Sequence, residues 1–579
     1  MNRVTAKLPR RFRAHAVSLP PARSRSPGVP GRAVRAGAWT LFLCALVGTA
    51  CADRTSTADA GGEPRYGGTV VIAGDADLEY ANSLVSRHAP TQEFIRFALF
   101  MPLLRYDAEL GYEPYLAESW KMEGDTAVVF RLRRDVRWHD GARTTAYDVA
   151  FTFDRARDPE TAFPNREYFQ YWRGTQVLDS FAIRFTMEPH VDPLAGVPFL
   201  PIMPRHLLDT VPPARMRETP FNKHPVGNGP FRFVSMRAND RWVFEANPDF
   251  PRALGGRPYL DRLIWRVVPE NAAQLTEILT GGVDMALTVR VEQFDEHRKN
   301  PELQGFVRPT RRYAFIGWNG KRPPLGDPRV RRALSMAIDR QRILNGLRNG
   351  YGELATGPVP PYHWAYDRSL HPLPFDTAAA RALLTEAGLV DRNGDGVRED
   401  ARGRPFAIEL KIPAGNDYNR DMAEMIRADL AAVGVRLTTR PTEGGVLIAD
   451  ISSPERRFDA VLLGLEADFR LALRDPFHSA AMDGPFQLAS YSNPEVDDIL
   501  DRVGTIPDRE SAIPLWHRLQ RIMLDEQPWT FLYYSPEVIL ANRRIRGVEM
   551  DIRGLLVNLP HWWVADPPAT AMGGEEEAQ

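Results

Sequence analysis

Apolar residues recur along the chain with two different spacings, and these spacings predict strands and helices in alternation. Residues 69–73 form a short apolar run, and in 126–133 apolar and charged residues alternate, so both segments are predicted strands. In 327–343 and 419–434 the apolar residues return every three or four positions, as on one face of a helix. Asp327, followed by a proline, is typical of a helix start. This alternation predicts an α/β fold, whose ligands usually bind beyond the strand ends.

Two acidic residues follow one of the apolar strands. Residues 460–463 are all apolar, and Gly464 predicts a turn at their end, so Glu466 and Asp468 would stand at the mouth of a buried strand. Carboxylates in such a place cost desolvation energy unless a cation pairs with them. A ligand ammonium could supply that cation. Because the two acids are two residues apart, they could instead face the same side as the acid/base pair of a secreted hydrolase.

Aromatic residues in a predicted loop form a second set of candidates. Tyr362 and Trp364 lie outside the periodic segments. Aromatic side chains in loops can stack on a bound ligand, so both residues are candidate cleft contacts.

Two short motifs suggest chemistry that their context does not favour. The segment Trp138-His139-Asp140-Gly141 could hold a catalytic His-Asp pair, but it is predicted to be a strand followed by a turn. Asp391, Asn393 and Asp395 alternate as in a calcium loop, yet Arg402 stands where that loop needs a bidentate glutamate. A β-turn on a hairpin is the better prediction. No metal site and no cofactor are expected.

Charge is distributed unevenly over the 579 residues. Residues 1–50 contain nine Lys and Arg and no acidic residue, which leaves 64 basic and 74 acidic residues in the remainder. A body with a net charge of −10 is a poor candidate for a nucleic-acid-binding protein.

The basic N-terminus predicts export. An apolar run, 36–47, follows two arginines and precedes the small residues Gly48-Thr49-Ala50, which is the pattern of a signal peptide over residues 1–50. Cys51 is then predicted to be the lipidated first residue of the mature chain, with 51–64 as a flexible tether. The alternative is ordinary signal-peptidase cleavage near Ala50. The other cysteine, Cys44, lies inside the signal, so the folded body has no thiol.

A series of stretches in a fixed order carries a family resemblance. The stretches include "RYGGTVVIA", "VVFRLRRDVRWHDGARTTAYDVAFTF", "HPVGNGPFRF", "WNGKRPPLGDPRVRRALSMAIDR", "FDAVLLGLEADF" and "SYSNPEVDDIL". In this order they resemble the family 5 extracellular solute-binding proteins, the receptors of ABC importers for peptides, nickel and some oligosaccharides.

The resemblance implies a fold and a domain plan. The fold would be α/β with two lobes of the periplasmic-binding-protein type II (Venus-flytrap) kind, plus an inserted α+β domain. Lobe I would combine residues 65–97, 222–310 and 525–565. The inserted domain would span 98–221, lobe II would span 311–524, and 566–579 would be a disordered tail.

The resemblance also implies a function and an anchor for the ligand. The protein would be a monomeric, membrane-anchored extracytoplasmic receptor, not an enzyme, that delivers a solute to an ABC permease and its ATPase subunits. Peptide-binding relatives place an Asp after Gly-Trp-x-x to receive the peptide ammonium, and Asp468 matches it, although Leu465 replaces the Trp. The arginine that dipeptide-binding relatives use has no counterpart at Pro413-Ala414-Gly415. An oligopeptide is therefore expected, with an oligosaccharide or a nickel chelate left open.

Overall fold

The computed structural model describes residues 62–467, 469–506 and 508–565, and two large sheets organise this part of the chain. The first sheet has seven strands, with a parallel centre and antiparallel edges. In spatial order they are Leu303–Arg308, Glu537–Asn542, Met285–Ala286, Thr69–Gly74, Arg262–Val267, Arg241–Ala246 and Phe231–Arg237.

The second sheet has six strands and lies between two layers of helices. Its strands in spatial order are Glu353–Leu354, Trp529–Tyr534, Arg312–Trp318, Ala460–Glu466, Ala407–Pro413 and Arg436–Thr442. One face packs on helices that contain Leu334, Ile343 and Ile426, and the opposite face packs on helices that contain Ile499 and Leu519.

A third sheet, of four strands, lies within the predicted inserted domain. Its strands in spatial order are Ala117–Glu123, Ala127–Leu132, Ala182–Met187 and Trp172–Asp179. Its core is continuous with that of the first sheet. Short two-stranded pairs complete the strands: Leu104–Tyr106 with Tyr112–Pro114, and Ile545–Arg546 with Trp563–Val564.

Helices connect the strands and cover the sheets. The α-helices are Ala89–Phe94, Ala146–Arg157, Arg205–Leu208, Asn271–Thr280, Val291–His297, Pro328–Ala337, Arg340–Arg348, Thr377–Glu386, Asp417–Ala431, Gly444–Ser452, Arg474–Phe477, Pro494–Val503 and Arg509–Glu526. A π-helical turn, Ile95–Leu99, extends the first of them.

The segments that hydrophobic periodicity predicted as helices and strands are confirmed as such, with two corrections. The segment 327–343 is two helices, because the backbone of Ile338 is extended and ends the first helix at Ala337. The strand that begins at Ala460 does not turn at Gly464. It continues to Glu466, because Arg312–Trp318 pairs with it along its whole length.

The two sheets give a two-lobed fold, and they place one predicted boundary differently. The domain plan assigns residues 525–565 to lobe I, whereas the strand Trp529–Tyr534 pairs with Arg312–Trp318 in the second sheet. The chain therefore returns to the first sheet at Ser535 and Pro536.

Candidate functional site

Two chain crossovers form the hinge between the sheets. One crossover joins Arg308 to Arg312, and the other joins Tyr534 to Glu537. The backbone N–H of Ser535 donates to the carbonyl of Arg312 at 2.9 Å. The Thr310 hydroxyl donates to the carbonyl of Ser535 at 2.5 Å. Because the crossovers are bonded to each other, they form one short two-stranded hinge.

A cavity of about 680 Å³ lies against this hinge. Its wall combines the first sheet, the strand end at Glu466 in the second sheet, and the inserted domain at Tyr168 and Phe199. A volume of this size accommodates a small-molecule or short-peptide ligand. The position of the cavity, at the hinge and between the lobes, makes it the candidate ligand site.

Arginine side chains give the cavity its electrostatic character. Among the described residues, seven arginines and five carboxylates line it. The arginines are Arg87, Arg96, Arg308, Arg311, Arg312, Arg348 and Arg553, and the carboxylates are Asp75, Glu93, Glu167, Glu466 and Glu537. Guanidinium groups present several donors in a planar fork that fits carboxylate oxygens. The wall can therefore bind anionic groups.

The sequence did not point to this arginine group, although one signal was visible. The segment "RPTRRYAF" places three arginines at a crossover between two predicted strands. The fourth hinge arginine, Arg348, ends a helix that is distant in sequence, and it donates to the carbonyl of Pro536. Only the fold brings these residues together.

Glu466 lines the cavity, but it already has internal cations. Its carboxylate accepts from the Arg311 guanidinium, and the Arg312 Nε lies 3.8 Å from its second oxygen. The prediction that Glu466 lacks an internal cation is wrong, because Arg311 and Arg312 both approach its carboxylate. Its predicted contact with a ligand remains a prediction.

Tyr362 and Trp364 do not border this cavity. The Tyr362 ring lies 5.9 Å from the ring of Phe469, and Trp364 stacks under the Arg509 guanidinium at 5.5 Å. Both residues thus pack where lobe II meets the rest of the protein. Their predicted contact with a ligand has no support from this placement.

Two predicted functional residues lie outside the described part of the chain. They are Cys51, the predicted lipidation site, and Asp468, the predicted anchor for an ammonium. The signal peptide, most of the tether and the tail also lie outside it.

A smaller cavity of about 250 Å³ adjoins the first, and Arg96 and Arg553 line both. The hydrogen bonds of Arg96 are long, 3.3 Å to Glu93 and 3.4 Å to the carbonyls of Gln92 and Arg553. Burial lowers the pKa of Arg96, Glu93 acts in the opposite direction, and the nearby Arg311 lowers the pKa further. Burial, and not a net positive field, is therefore the main cause of the lowered pKa of Arg96.

Side chains from lobe II bridge the cleft. Phe469 packs into the core shared by the first sheet and the inserted domain, where it stacks on Phe199 with ring centroids 5.5 Å apart. The Arg509 guanidinium donates to the buried Asp192 carboxylate at 2.8 Å. The Tyr112 hydroxyl donates to the same carboxylate at 2.5 Å, and burial together with Asp192 raises the pKa of Tyr112. The lobes are thus in contact across the cleft.

The histidine motif is structural, as predicted. His139 does not pair with Asp140. Its Nδ1 accepts from the N–H of Gly227 at 3.1 Å, and its Nε2 lies 3.1 Å from the Gly229 carbonyl. Burial accordingly lowers the pKa of His139 to about 4.

The calcium-like segment forms the predicted hairpin turn. Val390 and Glu399 exchange backbone hydrogen bonds of 3.1 and 3.0 Å. Carboxylate oxygens of Asp391, Asp395 and Glu399 lie within 4.8 Å of one another. Asp391 and Glu399 already accept backbone N–H groups of the turn, which gives these carboxylates a structural role.

Two α/β lobes, a two-stranded hinge and a polar cavity at that hinge define a binding protein that closes around a solute. The description "Bacterial extracellular solute-binding proteins, family 5 Middle" matches residues 111–473, and the chain belongs to this family. It is therefore an extracytoplasmic solute-binding receptor of the kind that serves ABC importers, as predicted.

Individual relatives extend the similarity to nearly the whole chain. The oligopeptide-binding protein AppA of Bacillus subtilis is 28% identical over 531 residues, which cover 91% of this chain and 96% of that protein. The heme-binding protein A of Haemophilus influenzae is 28% identical over 458 residues, which cover 75% of this chain and 81% of that protein. The structure of B. subtilis AppA in complex with a nonapeptide has a TM-score of 0.73 at 27% identity, and the match covers 87% of this chain and 100% of that one.

Among the described residues, no helix combines the length and apolarity that crossing a bilayer requires.

Proposed function

We propose that this protein captures an oligopeptide between its lobes and delivers it to the membrane permease of an ABC importer. The observation that carries the proposal is the similarity to an oligopeptide-binding protein over 91% of the chain, together with the fold shared with its nonapeptide complex. A further relative, "Probable di/tripeptide-binding protein 5" of Pseudomonas aeruginosa, is 26% identical over 90% of the chain and supports the same class of solute.

The cavity supports this choice of solute. It is polar, it lies at the hinge, and it adjoins a second chamber. An extended peptide offers backbone amides, two charged termini and side chains, and the arginines and carboxylates of the wall can pair with each of these charges. Closure of the lobes around the peptide would give the permease a shape to recognise, because the ligand favours the closed form.

The function is tested by mass spectrometry of what co-purifies with the natively expressed protein. Thermal-shift measurements then compare pools of two- to nine-residue peptides with oligosaccharides and nickel chelates. We expect mass spectrometry to find bound peptides. We expect peptides to raise the unfolding temperature, and oligosaccharides and nickel chelates to leave it unchanged. Stabilisation by a sugar or a nickel chelate, with no response to any peptide pool, would reject the peptide assignment.

Turnover assays with the purified protein test the hydrolase alternative. We expect no turnover of peptides or glycosides. Turnover that disappears in Glu466→Gln would instead favour an enzyme.

A further inference from the structure

The hinge brings four guanidinium groups to one side of the cavity. Arg308, Arg311 and Arg312 come from one crossover and its flanking strands, and Arg348 reaches the other crossover from the end of its helix. Among the described residues, the carboxylates within 4 Å of these four groups are Glu466 and Glu537. Within the described part of the chain, four positive charges therefore share two negative ones.

The individual contacts leave donors available to a ligand. Glu537 binds Arg308, and Glu466 binds Arg311. Arg312 lies 3.8 Å from Glu466, whose carboxylate is already paired with Arg311. The Arg312 side chain is 57% exposed. Arg348 contacts a backbone carbonyl, which has no net charge to offset its own.

The charge surplus extends over the whole cavity wall. Seven arginines face five carboxylates, a surplus of two positive charges. Two wall residues have ionic partners just outside the wall: Asp551 binds Arg553, and Arg470 binds Glu167. The charges of Asp551 and Arg470 cancel each other, so the surplus is unchanged. Adding Asp468, the acid predicted to lie nearby, would still leave one charge in excess.

A peptide with uncharged side chains cannot offset this surplus. Its ammonium and its terminal carboxylate cancel, so the cavity would close on an uncompensated positive charge. An acidic side chain supplies the missing negative charge, and a guanidinium fork binds its carboxylate well.

We infer that the hinge arginines make this receptor selective for peptides that carry Asp or Glu side chains, with Arg312 as the main specificity-determining residue. This inference rests on the proposed function, since it names the kind of peptide that the cleft takes.

Isothermal titration calorimetry with two matched peptide sets tests the inference. One set consists of alanine pentapeptides with a single Glu placed at each position in turn, and the other has Gln at the same positions. For at least one position we expect the Glu peptide to bind about tenfold more tightly than its Gln partner, the scale of a charge-assisted hydrogen bond. The ratio should shrink as salt concentration rises, because the Arg312 side chain is 57% exposed and therefore partly screened by ions.

Three variants assign the effect to the hinge. Arg312→Gln should bring the ratio of Glu-peptide to Gln-peptide affinity close to one, while Arg312→Lys should keep part of the preference. The control Arg322→Gln alters an arginine of similar exposure, 56%, that pairs with Asp459 and does not line the cavity. It should bind both peptides as the wild type does.

The outcomes separate this inference from the proposed function. Equal binding of Glu and Gln peptides at every position would overturn the selectivity while keeping the peptide receptor. The selectivity is also overturned if amidation of the C-terminus, and not the Glu-to-Gln change, weakens binding, because the terminal carboxylate would then be the group recognised. Failure of every peptide to bind would reject the proposed function, and the inference with it.

Discussion

The partners of a side chain decide its chemistry, and Glu466 shows this at the residue scale. In the sequence it is an unpaired acid beside a core strand. In the fold, strand pairing places it directly opposite Arg312, and Arg311 comes from the preceding turn. A sequence pattern reports the cost of burying a carboxylate, but it does not report which distant residue offsets that cost.

Asp468 remains the predicted anchor for a peptide ammonium. Replacing it with Asn removes the negative charge and keeps the shape, so we expect binding of a peptide with a free N-terminus to weaken by roughly 1.5–3 kcal/mol. Calorimetry with the same peptide after N-acetylation is the control, because wild type and variant should bind it alike. An unchanged affinity for the free peptide would end this role.

His363 provides a test of pH dependence. It is buried, its Nε2 lies 2.9 Å from the Phe469 carbonyl, and its Nδ1 accepts from the N–H of Ala365. Burial lowers the pKa of His363 to about 3, the Phe469 carbonyl acts in the opposite direction, and Arg509 lowers the pKa further. The unfolded chain therefore takes up a proton before the folded one does, and stability is lost as pH falls from about 6.5 towards 3.

In the variant His363→Gln we expect the loss of stability between pH 7 and pH 4 to be smaller by about 1–3 kcal/mol. Chemical denaturation at both pH values measures the difference. The variant His371→Gln, at an exposed position, should show the wild-type loss. If His363→Gln also shows the wild-type loss, the buried neutral histidine is not responsible.

Gly227 tests the structural role of the histidine motif. An alanine here would drive its Cβ into the carbonyl oxygen of Leu99 and against the ring of His139. We expect Gly227→Ala to reduce the free energy of unfolding by about 1–3 kcal/mol, the cost of overpacking a tight contact. Gly444→Ala is the control, since that position has open space at the start of a helix. Similar unfolding midpoints for both variants would contradict the tight packing.

At the scale of elements, a few contacts join the inserted domain to lobe II. The ion pair Arg509–Asp192 is accompanied by a backbone hydrogen bond of 3.2 Å from Val191 to Gly504. These contacts connect a loop of the inserted domain to the end of the helix Pro494–Val503 and to the start of the helix Arg509–Glu526. A movement of lobe II away from the inserted domain would break these contacts.

Replacing Asp192 with Asn should weaken the closed form. The Arg509 charge would lose its partner, so we expect the unliganded protein to expand in small-angle X-ray scattering. Ligand affinity should fall by up to about tenfold, because fewer molecules are ready to bind. The exposed pair Arg173–Glu188 supplies the control, since Glu188→Gln breaks a pair that is open to solvent. Unchanged scattering and affinity in Asp192→Asn would show that the contact does not hold the lobes.

The presence of a helix or strand was easier to predict from the sequence than the residue at which it ends. The periodic segments gave the helices at 328–337 and 417–431 and the strand at 127–132, because one buried face imposes the spacing. The helix break at Ile338 and the extension of a strand to Glu466 depend on neighbours that the local pattern does not contain.

At the scale of the whole molecule, the family resemblance anticipated the two lobes, but not the charge of the cleft. The cavity wall draws on residues from Gly74 to Leu555, so its composition exists only after folding. The return of the chain at Ser535, about ten residues later than expected, has the same cause, because strand pairing decides which sheet takes a segment.

The predicted lipid anchor would attach the whole molecule to a membrane. If Cys51 is the mature N-terminus, mass spectrometry of the membrane fraction should find it with a diacylglyceryl group. The variant Cys51→Ala should move the protein into the soluble extracytoplasmic fraction. A soluble wild-type protein with an unmodified terminus near Ala50 would instead indicate ordinary signal-peptidase cleavage.

The burial of Phe469 in the opposite core bears on how the ligand is released. Separating the lobes exposes this ring to water, at a cost of about 1.5–3 kcal/mol for a large apolar side chain. The empty receptor therefore carries its own bias toward closing, apart from any contact with its cargo. A transporter that accepts the cargo has to supply the work of exposing the ring, so unloading is coupled to an energy source outside this chain.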